Sequence, residues 1–82
     1  MSHIRITVDD TVLMDADPGT WTQTPPDINT LKLKAGSQPW GLAVMATVAE
    51  AATLAMAGKQ GRDTTITITT DSDGWTMDVE HK

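Results

Sequence analysis

Carboxylates are the most abundant titratable side chains of this sequence, with 11 Asp and Glu residues. Paired Asp or Glu side chains act as general acid and base when they converge in a cleft that shifts their pKa values. The aspartates of the N-terminal third instead occupy turn-forming or exposed positions: Asp9, Asp10, Asp15, Asp17 and Asp27. Glu50 is a lone acid in an apolar stretch, either in an exposed polar strip or as an interface or ligand contact. No serine, histidine and acid grouping indicates a nucleophile, so we expect no enzyme and no catalytic residues.

Motifs for metal ions and phosphates are incomplete. Asp71-x-Asp73-Gly74 matches part of a calcium loop, but Lys82 stands where the acidic twelfth residue belongs, so a hairpin turn explains these residues better. Gly58-Lys59 matches the end of a phosphate-binding loop whose first glycine is replaced by Thr53. These departures predict no nucleotide cofactor.

Histidine and cysteine usage also bears on metal binding. The chain has no cysteine, and its two histidines are His3 and His81. They would approach each other only if the first and last strands were neighbours, and two histidines without a third ligand seldom hold zinc. We expect no bound metal.

The charge balance and the apolar segments limit the partners. The 82 residues carry a net charge of −5, with 11 acidic and 6 basic side chains, which disfavours direct DNA or RNA binding. Trp40–Gly58 is apolar but contains Glu50, which favours a buried helix over a membrane span. Met1–Val8 alternates and lacks the pattern of a secretory signal, so we expect a cytoplasmic protein without a membrane partner.

Alternating apolar residues predict a hairpin near each end of the chain. In the first hairpin, a loop over Asp9, Asp10 and Thr11 pairs Val8 with Val12, Ile6 with Met14, Ile4 with Ala16 and Arg5 with Asp15. A two-residue turn would place Asp15 opposite Ile4, so the longer loop is preferred. In the second hairpin, a turn over Asp71–Gly74, with a positive φ at Gly74, pairs Ile68 with Met77 and Ile66 with Val79.

The middle of the chain predicts an edge strand and a long helix. Leu31 and Leu33 alternate with Lys32 and Lys34, which is typical of a short edge strand. Ser37 is the predicted N-cap of a helix that enters through Pro39 and continues to about Ala57. We therefore predict a single two-layer α+β domain over residues 1–82. It has the order β-β-(β)-α-β-β, with one long helix on an antiparallel sheet of about four to five strands.

The long helix is apolar around most of its circumference. One stripe is expected to face the sheet: Trp40, Val44, Val48, Ala51 and Ala55. A second stripe predicts the interface of a homodimer: Leu42, Met45, Ala49, Ala52 and Met56. The alternative is that the Asp17–Lys34 segment folds over this second stripe within one chain.

An irregular segment is the second candidate binding surface. Trp21 lies there beside Pro25, Pro26 and Asp27, and exposed tryptophans concentrate binding energy at interfaces. The alternative is that Trp21 packs back over the core. Trp40 and Trp75 are expected in the core.

Several segments together resemble one group of proteins. They are Ile4–Asp10, Leu13–Asp15, Trp21, Thr24–Asp27, Gln38–Trp40 and Gly74–Glu80. The pattern resembles small proteins of unknown function encoded by actinobacterial phages, in particular mycobacteriophages. The resemblance transfers no catalytic or binding residue. It implies a product that acts in the host cytoplasm, where many such proteins bind host proteins.

These observations lead to three functional hypotheses. The first is a non-enzymatic protein-binding module that modulates a host protein. The second is a minor structural or assembly component of the phage particle, which would be present in purified particles. The third is a small-molecule binder with a methionine-lined pocket between helix and sheet, which thermal-shift screening would detect.

Overall fold

The chain folds as an α+β domain in which two helices pack on one face of a four-stranded sheet. A computed structural model describes residues 3–18, 26–57 and 62–82. Its elements follow in chain order: β1 (Ile4–Val8), β2 (Thr11–Ala16), α1 (Pro26–Ala35), α2 (Gly41–Met56), β3 (Thr64–Asp71) and β4 (Gly74–His81). The α+β class is confirmed, whereas the strand arrangement and the number of helices differ from the prediction.

The sheet is mixed and not antiparallel throughout. Its strand order is β2-β1-β3-β4, and β1 runs parallel to β3. Each hairpin is antiparallel, as predicted, but the two hairpins join through their first strands. Parallel neighbours need a long crossover connection, and the segment that contains α1 and α2 supplies it.

The predicted edge strand at Thr30–Lys34 is wrong, because these residues belong to α1. Neighbouring helix positions are about 100° apart, so two residues separated by one position lie on nearly opposite sides. Leu31 is fully buried, whereas Leu33 is 85% exposed. A strand would have placed both leucines on one face.

The second helix begins later than predicted. Ser37 is not its N-cap, since α2 begins at Gly41 and Trp40 occupies the cap position without a side-chain capping hydrogen bond. A tight connection precedes it, in which the Gln38 N–H donates to the Ala35 carbonyl at 3.0 Å. The predicted end near Ala57 is confirmed within one residue. The structure thus has two helices, of 10 and 16 residues, where one long helix and an edge strand were predicted.

The first hairpin has the shorter, two-residue turn together with the strand pairs that were predicted for the longer loop. The predicted pairs of Ile4, Arg5 and Ile6 are confirmed, but Val8 pairs with Thr11 across a two-residue turn. Asp9 and Asp10 form that turn with φ values of 47° and 72°, which Asp tolerates better than most residues. The register then shifts opposite Ile6 and Thr7. The shift restores the predicted pairing and leaves consecutive residues of β2, Leu13 and Met14, both buried.

The second hairpin confirms every predicted pair. Ile68 pairs with Met77 and Ile66 pairs with Val79. Asp71 also pairs with Gly74, so the turn itself consists of two residues. Gly74 has φ of +144°, in the region that favours glycine.

The core lies between the helices and one face of the sheet. Its buried apolar residues come from both layers: Ile4, Ile6, Leu13, Met14, Ile28, Leu31, Ala35, Trp40, Val44, Val48, Ile66 and Ile68. Trp40 is buried, as predicted, whereas Trp75 is half-buried and packs against the core from β4. Of the stripe expected to face the sheet, Trp40, Val44 and Val48 are buried, whereas Ala51 and Ala55 are half-buried.

Candidate functional site

His3 is held between two carboxylates at one end of the sheet. Its Nδ1 lies 2.6 Å from Asp17 Oδ1, and its Nε2 contacts Asp15 Oδ1. Both ring nitrogens can donate together only when the imidazole is protonated. The hydrogen bonds to Asp17 and Asp15 therefore raise the pKa of His3 above its ordinary value of 6.5, and desolvation opposes them. These two contacts connect His3, which precedes β1, to Asp15 of β2 and to Asp17 just after β2.

Replacing His3 with glutamine should remove a stabilising contact that depends on pH. Because the folded-state pKa is raised, the contribution is fully present below the unfolded value of about 6.5 and is lost as pH rises through the folded pKa. The His3 and Asp15 side chains are 41% and 49% exposed, so we expect a loss below about 1 kcal/mol. Urea unfolding of both proteins at several pH values measures it. A difference that grew with rising pH would contradict this assignment.

The Asp9 carboxylate extends the ladder between β1 and β3. Its Oδ1 accepts a hydrogen bond from the Thr70 N–H at 3.0 Å, and its Oδ2 contacts the Thr70 hydroxyl. The Asp9 N–H donates to the Ile68 carbonyl at 3.0 Å. These bonds from Thr70 lower the pKa of the Asp9 carboxyl. Asp9 is therefore a structural clamp between the hairpins as well as a turn residue.

The two histidines are not neighbours, because β3 lies between β1 and β4. His81 Nδ1 instead lies 3.1 Å from the Thr64 hydroxyl. Within residues 3–18, 26–57 and 62–82, no three His, Cys, Asp or Glu side chains are arranged to hold a metal ion. His3, Asp9 and His81 thus connect neighbouring elements of the sheet.

Exposed leucines mark the outer surface of the helical layer. Leu42 at the start of α2 is 88% exposed, and Leu33 of α1 is 85% exposed. Leu42 also borders a shallow groove of about 290 Å³ between the two helices. The groove has a mainly apolar and glycine lining with two polar side chains: Lys32, Ala35, Gly36, Gln38, Gly41, Leu42 and Met45. We call the two leucines together with this groove the helical outer surface.

The predicted dimer stripe partly coincides with the helical outer surface. Leu42 and Ala49 are exposed, whereas Met45 and Ala52 are half-buried. The side chain of Met56 lies outside what the structure describes. Glu50 is exposed, which favours its interpretation as part of a polar strip.

The predicted binding loop falls largely outside the described residues. This applies to Trp21 and Pro25. Pro26 and Asp27 are in the first turn of α1, and only their backbone is described. Sequence reasoning missed Leu33 because the strand interpretation placed it beside Leu31. A helical reading of the same residues would have separated the two leucines.

The fold and the helical outer surface define a class of protein: a small α+β domain with two helices on a mixed sheet and an exposed apolar helical surface. Within that class, a family model described as a domain of unknown function (DUF8277) matches residues 3–82, and the chain belongs to this family. Neither the curated proteins nor the solved structures contain a significant match. No helix among the described residues is long and apolar enough to cross a membrane.

Proposed function

We propose that this domain is a non-enzymatic protein-binding module that uses the helical outer surface to contact its partner. The observation that carries the proposal is the 88% exposure of Leu42, a large apolar side chain at the rim of an apolar groove. Single exposed apolar residues are common on soluble proteins. A leucine beside a mainly apolar groove, with a second exposed leucine on the adjoining helix, has the composition of an interface core.

The groove is suited to an apolar side chain from a partner. Gly36 and Gly41 have no side chains that would fill the groove, and the flexible side chain of Met45 can adapt to different shapes. Lys32 adds a positive charge at the rim, where it can pair with a partner carboxylate. A protein segment with an apolar anchor flanked by an acidic residue fits this lining.

The proposed partner is a host protein, and the proposed place of action is the cytoplasm of an actinobacterial host. This part of the proposal rests on the resemblance to small actinobacteriophage proteins. The exposed leucines are consistent with a protein that modulates a larger partner by binding it. We propose the irregular segment with Trp21 and Pro25 as a second candidate contact for the same partner.

Replacing Leu42 with aspartate should abolish partner binding while the fold is kept, because the side chain makes few contacts within the chain. Affinity capture from actinobacterial lysate, read by mass spectrometry, measures the loss. Val12→Asp is the matched control, since Val12 is a 45% exposed aliphatic residue on β2 that does not line the groove. A Trp21→Ala variant reports separately on the irregular segment.

A specific host protein should be retained by the wild type and by Val12→Asp but lost with Leu42→Asp. Retention by all three proteins would remove the helical outer surface as the binding site. Capture of no host protein by the wild type would contradict the proposed function. Circular dichroism of each variant confirms that the fold is retained.

A further inference from the structure

The outer edge of β4 carries a regular row of backbone hydrogen-bonding groups that pair with no other strand among the described residues. Asp71 pairs with Gly74 across the turn, and the Lys82 N–H donates to the Asp63 carbonyl at 2.9 Å. In an antiparallel pair, hydrogen-bonded positions alternate with positions whose backbone groups point away. The even-numbered residues of β4 therefore bond to β3. The odd-numbered residues point their N–H and C=O groups outward: Trp75, Met77, Val79 and His81.

The two edges of the sheet differ in how they are protected. The β2 edge has a register shift, is followed by the buried Pro18 and packs against α1. Proteins use such irregularity, proline, lysine or a covering helix to prevent edges from pairing with other chains. The edge of β4 has a continuous eight-residue register, and the strand itself contains no proline and no lysine. Among the described residues, no other strand lies beyond it.

The side chains of β4 suit pairing with an identical strand. A two-fold axis at Met77 places Trp75 opposite Val79 of the second copy, and Met77 opposite Met77 of the second copy. These outward-pointing residues would then exchange backbone hydrogen bonds in both directions. Their apolar side chains lie on the helix-facing side of the sheet, where Trp75 and Met77 already pack against the core and Val79 remains 39% exposed. On the opposite face, Thr76 meets Asp78 of the second copy, so no two like charges stand directly opposite each other.

The same register brings Lys82 of one copy close to acidic residues of the other at both ends of the paired strands. It places His81 opposite Asp73 of the second copy, with Lys82 and Asp71 close by. Within one chain, Asp73 and Lys82 are separated by the full length of β4, roughly 25–30 Å at the rise of an extended strand. They can therefore meet only between copies.

Neighbouring registers are less favourable. A two-fold axis at Asp78 would place that carboxylate against its own copy, and one at Val79 would oppose Asp78 with Glu80. A shift toward the turn would leave Val79 opposite Asp73. The axis at Met77 avoids each of these mismatches.

From this edge, we infer that two copies of the chain associate through antiparallel pairing of β4 about a two-fold axis at Met77, which forms one continuous sheet across the dimer. The partner is a second copy because two β4 strands in this register are complementary in three respects. Their outward backbone groups can hydrogen-bond, their apolar residues face each other, and Lys82 lies near acidic residues of the other copy. This inference is independent of the proposed function, since it uses the opposite part of the molecule from the helical outer surface. It gives the predicted homodimer a different interface from the α2 stripe.

Sedimentation velocity over a range of concentrations tests the β4 dimer with Val79→Lys. A lysine at this inward-facing edge position should shift the protein to monomer at concentrations where the wild type is dimeric. Val12→Lys is the matched control, because Val12 is similarly exposed, at 45%, on the other edge strand. It should leave the dimer unchanged.

Charge reversal tests the register without altering an apolar residue. Asp73→Lys and Lys82→Glu alone should each weaken the dimer, and the double variant should restore it, since the exchanged charges again face each other across the interface. Both residues are exposed, so these variants are expected to fold even if Val79→Lys does not.

Each result of these two experiments either supports or overturns the β4 dimer. Loss of the dimer in Val79→Lys but not in Val12→Lys, with rescue in the double charge reversal, supports the inference. A wild type that remains monomeric throughout overturns it, and so does a dimer that persists in Val79→Lys or a double variant without rescue. A dimer that dissociates only with Leu42→Asp would also overturn it and would return self-association to α2.

Discussion

Leu31→Ala is expected to lower the free energy of unfolding by about 2–5 kcal/mol, whereas Leu33→Ala should change it by less than about 0.5 kcal/mol. Leu31 is fully buried in the core, so its removal loses apolar burial and leaves a cavity. Leu33 lies two residues further along α1 and is 85% exposed. Both substitutions replace leucine with the residue of highest helix propensity. Urea unfolding followed by circular dichroism measures the difference.

These two variants also distinguish the helix that contains Leu31 and Leu33 from the edge strand predicted for the same residues. On a strand with Leu31 and Leu33 on one face, the two substitutions would have similar effects. A native domain is stable by about 5–15 kcal/mol in total, so the loss at Leu31 is a large part of the whole. Comparable losses at both positions would contradict the helix over Pro26–Ala35.

Gly41→Ala is expected to destabilise the domain by about 1–3 kcal/mol despite the higher helix propensity of alanine. A Cβ at Gly41 would lie 2.2 Å from the Ala35 carbonyl oxygen and 3.1 Å from its carbonyl carbon. Both are backbone atoms at the end of α1, so the contact can be relieved only by moving one helix away from the other. Thermal and urea unfolding should both report the loss.

Gly36→Ala is the matched control for the connection between the helices. Its Cβ would lie 3.1 Å from the Lys32 carbonyl oxygen, a tight contact that needs only a small adjustment. The expected change is below about 1 kcal/mol in either direction. If Gly41→Ala proved as mild as Gly36→Ala, the close approach of α2 to the end of α1 would be wrong.

Local patterns were sufficient to predict the two hairpins. Alternation of apolar residues identified the strands, and pairing of like with like identified the register of β3 with β4, including Ile66 with Val79. In the first hairpin, the same reasoning found the correct pairs near Ile4 but assigned the wrong turn. The reason is that a register shift inside β2 compensates for the shorter turn, and no residue type marks that shift.

The remaining features required information that a single sequence does not contain. The residues Leu31–Lys34 alternate over only four positions, a length at which strand and helix patterns cannot be separated, and the burial of Leu31 decides between them. The parallel pairing of Ile6 with Ile66 joins residues far apart in the chain, and neither residue carries a local signal for it. Leu42 borders the groove only because α1 packs beside α2, and this packing is likewise not visible in the sequence.

The pairing of β1 with β3 has a consequence for how the domain folds. Each hairpin can form from neighbouring residues, but neither is expected to be stable alone, because two strands without a packed face are marginal in water. The sheet is completed only when Ile4–Val8 meets Thr64–Ile68, with both helices contained in the intervening loop. Closing that loop costs conformational entropy before any parallel contact compensates for it. We therefore expect docking of the two hairpins to be the slow, cooperative step, with the Asp9 clamp to Thr70 formed only when that step is complete.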